Sequence, residues 1–138
     1  MAIAVVHRDS PEGRAAIVYA ARVAVRRREQ LHVLHVLDEA LGRDAESDRS
    51  ALRAEVQATL ENGEVGESPW ELRINGHAGD QLSALRALVD SSGADLLVVG
   101  MRRQSPIGKF LLERWLQRLL LEVEVPILVV KEGAHGTA

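Results

Sequence analysis

Apolar positions along this chain follow two alternating rhythms. Residues 2–6, 31–37, 96–99 and 127–130 form short, nearly continuous apolar runs, whereas a half-exposed strand would alternate; each run therefore predicts a strand buried on both faces. Residues 70–74, Trp70-Glu71-Leu72-Arg73-Ile74, do alternate and predict an edge or half-covered strand. Pro126 opens the last run at the strand position where a missing N–H does least harm.

Between the runs, apolar residues return at helical spacing. Ala16, Tyr19, Ala20, Val23 and Ala24 make the inner stripe of a first helix, which starts at Pro11 behind the N-cap residue Ser10 and ends near Arg26, Arg27 and Arg28. Leu52, Val56 and Leu60 give a thin stripe to a second helix over about 47–60. Gly76 to Asp80 read as a turn, after which Leu82, Leu85, Ala87, Leu88 and Val89 predict a third helix stopping at Ser91-Ser92-Gly93. From Gly108 onward, Leu111, Leu112, Trp115, Leu116, Leu119 and Leu120 share one stripe, opposite Glu113, Arg114, Gln117, Arg118 and Glu122.

Five strands alternating strictly with four helices predict one α/β domain, a doubly wound five-stranded parallel sheet with helices on both faces. The strands at 70–74 and 127–130 are the expected edges. The second is apolar on both faces, and an open apolar edge invites aggregation, so a homodimer through Val125, Ile127, Leu128, Val129 and Val130 is expected. Ligands of open α/β sheets sit at the carboxyl ends of the strands, which makes 101–109 the first place to look for function.

Composition narrows the chemistry. The 138 residues suit one domain, and the absence of cysteine excludes disulfides and thiolate metal sites. No basic leader or long apolar segment stands out, so a cytoplasmic protein with no membrane partner is expected. Seventeen basic and twenty acidic residues leave a net charge of −3, with no general pull toward nucleic acid, and one Tyr, one Phe and two Trp offer little for base stacking. His32 and His35 are three apart in a period-two element and point to opposite faces, so they cannot share a metal, and no HExxH motif supplies other ligands. No metal is expected. Neither a G-x-S-x-G elbow nor a Walker A sequence occurs, and His7 is the sole plausible acid or base, so no enzyme is expected.

The stretches AVVHRDSPEGRAAI, LHVLHVLD, ADLLVVG and SPIGKFLLERWLQRLLLEVEVPILVVK, in this order and spacing, resemble the universal stress protein family over nearly the whole chain. The resemblance implies the strand order 3-2-1-4-5, dimerisation through the fifth strand and no established catalytic chemistry. Part of that family binds ATP through a G-x2-G-x9-G-S/T pattern after the fourth strand. Here Gly100 matches, whereas Arg103, Glu113 and Arg114 stand at the other three positions. Side chains at 103 and 113 obstruct the approach of backbone N–H groups to phosphate, and Glu113 adds a negative charge at the helix start. Its ordinary use is a favourable interaction with the helix dipole or a capping bond. The family's Asp-Gly-Ser after the first strand is matched by Arg8-Asp9-Ser10, with the aspartate shifted by one.

These features imply a small, non-catalytic stress-response or regulatory homodimer without cofactor, its ATP motif degenerate. The alternative is a nucleotide- or phosphate-binding module with an arginine-rich pocket. Its candidate residues are Asp9, Asp38, Gly100, Arg102, Arg103, Gly108, Lys109 and Arg114, with Arg8 beside them. The plainer reading, preferred to that alternative, is that the arginines pair with Asp9, Asp38 and Glu113 and fill the pocket themselves.

Overall fold

The apolar runs assemble into a single parallel sheet in the order β3-β2-β1-β4-β5 in the computed structural model, which describes residues 1–38, 45–77, 79–102 and 113–131. The strands are β1 (Ala2–Val6), β2 (Gln30–Asp38), β3 (Trp70–His77), β4 (Ala94–Met101) and β5 (Ile127–Lys131). Between them in turn lie the helices α1 (Pro11–Arg27), α2 (Ala45–Asn62), α3 (Gln81–Ser92) and α4 (Arg114–Glu122). The expected order and the two expected edges, β3 and β5, are those found. Among the described residues no helix is long and apolar enough to cross a membrane.

Strand alternation divides the core in two. Ile3, Val5, Leu31, Val33, Leu72 and Val98 face α1 and α2, while Ala4, Val6, Leu34, Leu97 and Val99 face α3 and α4. Central strands that feed two cores cannot carry polar residues on either side, which is why β1 is buried throughout. Small residues let α1 lie close to the sheet: Ala15, Ala16, Ala20, Ala21 and Ala24 are buried, together with Ile17 and Val18. Tyr19, expected on the inner stripe, is instead 41% exposed. Its hydroxyl stays wet while alanines take the contact.

Two further expectations change. The segment read as a turn from Gly76 begins as strand: Gly76 and His77 pair with Leu37 and Asp38 and carry β3 to the carboxyl end of its neighbour. The stripe of α4 is narrower than read, with Leu116 and Leu119 fully buried but Leu120 40% and Leu121 86% exposed. Leu111, Leu112 and the start of the expected fourth helix at Gly108 lie outside the described residues.

Helix ends follow their local chemistry. Ser10 caps α1 by accepting a hydrogen bond from the Gly13 N–H at 3.1 Å. Gly93 ends α3 with φ 68°, in the left-handed region that glycine adopts without a steric penalty. Gly100 serves a different need. A Cβ there would overlap the Glu12 carbonyl oxygen, so its absence lets the first turn of α1 rest directly on the end of β4.

Candidate functional site

The carboxyl ends of β1 and β4 open into a cavity of about 560 Å³. Its walls carry Arg8, Asp9, Glu12, Arg102, Trp115 and Arg118, so cations and carboxylates alternate around an aromatic ring. Gly79 and Asp80, between β3 and α3, close the far side. The size is that of an ordinary small-molecule site.

Each charged group has a particular anchor. The Arg8 guanidinium lies over the Trp115 ring, 4.4 Å from its centroid, a cation–π contact worth about 0.5–2 kcal/mol. Trp115 is held in turn by its indole Nε1–H, which donates to Glu113 Oε2 at 3.1 Å. Glu113 occupies the N-cap position of α4 without making a side-chain cap bond, so its carboxylate orients the tryptophan and does not close the helix end. Asp9 accepts from Arg14 Nη1 at 3.1 Å at the surface. Glu12 has a side chain only 6% exposed, with Arg102 Nε at 4.0 Å. Arg118 reaches Glu122 Oε2 at 3.5 Å along α4.

Asp80 is the N-cap of α3, accepting from the Ser83 N–H at 3.1 Å and from the Ser83 hydroxyl at 2.7 Å. Those hydrogen bonds hold its carboxyl below the ordinary value. The sequence reading saw only a turn there. The signal it passed over is an Asp placed three residues before Ser83, at the threshold of an apolar periodic segment.

Of the candidate residues named from sequence, Asp9, Arg102 and the neighbouring Arg8 line the cavity. Asp38 ends β2 and Arg114 starts α4, but neither is among the described lining residues; Arg118, one turn further along, takes the position expected of Arg114. Arg118 follows Trp115 by three residues, which puts the two on one face of α4. Gly100 is occupied with packing against Glu12. Arg103, Gly108 and Lys109 lie outside the described residues. The expected pairing of Arg8 with Asp9 does not form: Asp9 has Arg14, and Arg8 has Trp115.

On the wall of the cavity itself, toward α2, three polar side chains meet: His7 and His35, which line it, and Glu55 behind them. His7 Nε2 lies 3.0 Å from Glu55 Oε1, and His7 Nδ1 lies 3.0 Å from His35 Nδ1, with the rings edge to face. Two facing Nδ1 atoms require one donor and one acceptor, so both rings cannot be protonated in this geometry. His7 is thereby fixed as part of a bonded cluster. His32 lies on the opposite face from His35, as the strand period requires, and its Nδ1 accepts from Arg73 Nε at 3.2 Å with Glu71 Oε2 also at 3.2 Å. Burial, reinforced by the Arg73 charge, pushes the His32 pKa down against the opposing pull of Glu71. Among the described residues, no group of three or more His, Cys, Asp or Glu side chains could hold a metal ion.

The sequence profile of the universal stress protein family matches residues 1–131. The chain belongs to that family. A universal stress protein from Mycolicibacterium smegmatis is 37% identical over 134 residues, covering 97% of this chain and 98% of the relative. Among solved structures, a universal stress protein from Archaeoglobus fulgidus superposes with a TM-score of 0.75 at 19% identity, covering 95% of this chain and 98% of that one. A universal stress protein in complex with cAMP superposes with a TM-score of 0.68 at 19% identity, covering 96% and 97%. At such identities the two structural likenesses speak to the fold, and the family assignment rests on the profile and the M. smegmatis relative.

Proposed function

We propose that this universal stress protein is a non-catalytic regulatory homodimer whose cavity takes a singly phosphorylated nucleotide and does not bind ATP in the family's usual manner. The observation that carries this reading is the open cavity at the ends of β1 and β4 with Arg8, Arg102 and Arg118 on its wall. Arginines supply paired N–H donors for a phosphate where a glycine cradle is missing. Glu113 and Arg114 stand where that cradle's small residues belong, and the Glu113 carboxylate at the helix start disfavours a triphosphate there. Asp9 and Glu12 offer acceptors to ribose hydroxyls or a base amine. The cAMP complex of a structural neighbour supports a ligand of this class.

Thermal unfolding with added ligand tests the reading. A mononucleotide at about 100 times its dissociation constant stabilises by about 2.7 kcal/mol, enough to raise Tm by several degrees, whereas magnesium ATP at the same concentration leaves Tm nearly unchanged. An equal or larger shift with ATP sinks the claim that the usual site is lost. No shift with cAMP or AMP means that the protein's own ion pairs occupy the cavity.

A further inference from the structure

Arginines around the carboxyl-end cavity are partnered in two ways. Arg14 is met by Asp9, Arg102 by Glu12 and Arg118 by Glu122, whereas the Arg8 guanidinium lies on the Trp115 ring, 4.4 Å from its centroid. Arg8 and Trp115 both line the cavity, so the covered ring is part of its wall.

Trp115 is built as a fixed surface. It stands in the first turn of α4 beside fully buried Leu116 and packs against the core on the α3 and α4 side, and its indole N–H is tied to Glu113 Oε2 at 3.1 Å. A ring backed by core and anchored at its edge keeps its plane whatever lies on it. Arg8 is the movable half. It is rooted just past the end of β1, and its long side chain can change rotamer while the strand stays in place.

An aromatic face that carries one flat cation suits other flat groups as well. A nucleobase stacks on an indole through that same face, a contact open to every base because each has a π-face. A guanidinium, in turn, binds a phosphate more strongly and more directionally than a ring, because two parallel N–H donors meet two oxygens. A ligand with both a base and a phosphate therefore offers each half of the Arg8–Trp115 pair a better partner than the other half. A sugar phosphate offers only one. We propose that Trp115 is the base platform of this site: the base of a bound mononucleotide stacks on the indole in place of the Arg8 guanidinium, which turns to the phosphate. This rests on the mononucleotide reading above and narrows it, since Trp115 becomes the residue that separates nucleotides from sugar phosphates.

Calorimetry with AMP and ribose 5-phosphate, on the full chain and on Trp115→Leu, tests the assignment. In the wild type AMP should bind at least about tenfold tighter than ribose 5-phosphate. Trp115→Leu should weaken AMP by about tenfold or more and leave ribose 5-phosphate as it was or tighter, because Arg8 no longer has a ring to leave. A purely structural role for Trp115 would weaken both ligands alike, and that result overturns the proposal. Undiminished AMP binding in Trp115→Leu, or equal affinity of the two ligands in the wild type, also overturns it while the mononucleotide reading stands. Absence of binding by both ligands removes the reading and the platform together. In Trp70→Phe, Trp115 is the sole tryptophan, and AMP should quench its emission saturably when it is excited where adenine does not absorb. Calorimetric binding of AMP without quenching overturns the platform alone. Should Trp115→Leu fail to fold, the quenching and the wild-type comparison of the two ligands decide the matter.

Discussion

The two edges of the sheet are built on opposite plans. β3 alternates: Trp70, Leu72 and Ile74 pack toward α2, while Glu71 and Arg73 project from the other face and gather around buried His32. Its first residue is also tied down from the side, with the Trp70 indole N–H donating to Gln57 Oε1 at 2.9 Å and Arg53 5.8 Å from the ring centroid. β5 has none of this. Ile127, Leu128 and Val129 are each half-buried, Lys131 is its lone charge, and Leu121 stands 86% exposed on α4, the helix that leads to it. Charges on an edge discourage another strand from adding to it, and an edge without them is left open to pairing. The contrast favours a dimer built at β5 and nowhere along β3.

The largest effect should come from charging the open edge. Val129→Lys is expected to convert the proposed dimer wholly to monomer in light scattering at about micromolar concentration, because an isologous contact places the new charge against its own copy. A wild type that is already monomeric under those conditions ends the comparison. On the defended edge, Trp70→Ala should leave the oligomeric state alone and lower the unfolding free energy in urea by about 3 kcal/mol, through lost packing and the stranded Gln57. A change in oligomeric state in that variant would mean that β3 takes part in assembly.

The smallest effect is a pH slope. The folded-state pKa of His32 lies below its ordinary value of 6.5, so its contribution to stability is complete above 6.5 and is lost as pH falls through the folded-state value. Between those two values the unfolded chain binds more protons than the folded one. Urea melts from neutral to mildly acidic pH should therefore show wild-type stability falling faster than that of His32→Gln. Parallel slopes would show that the buried imidazole is not what ties β3 to solution pH.

Much of the fold was legible because the signals were redundant. The apolar runs at 96–99 and 127–130 are bounded by Gly100 and Pro126, and the start of α1 is marked by both Ser10 and Pro11. The end of β3 was not legible: Gly76 and His77 look like turn residues, and pairing with Leu37 and Asp38, far away in sequence, makes them strand. Tyr19 misled in a similar way, since helical spacing places it near the inner stripe while the alanines around it determine how close α1 can come. At the site, position was readable and partnership was not. Arg8, Asp9 and Arg102 line the cavity, but an arginine reaches far enough to choose among several neighbours. The ring of Trp115 for Arg8, and His7 as the partner of His35, are choices made by tertiary structure.

Because Gly100 admits the Glu12 carbonyl, β4 and α1 are joined backbone to backbone beside the carboxyl-end cavity, which Glu12 lines, and the contact behaves as a weld between strand and helix. Interlocked backbone does not yield to a visitor as a side chain can, since side chains change rotamer while packed backbone transmits the strain. Whatever docks there must be accommodated by the crown of long side chains above the weld, with Arg8 free to lift from Trp115 and Arg102 to swing away from Glu12. Shape is thus fixed at the base and negotiable at the brim, so a change of ligand preference requires new side chains on the brim and no rebuilding of the fold beneath.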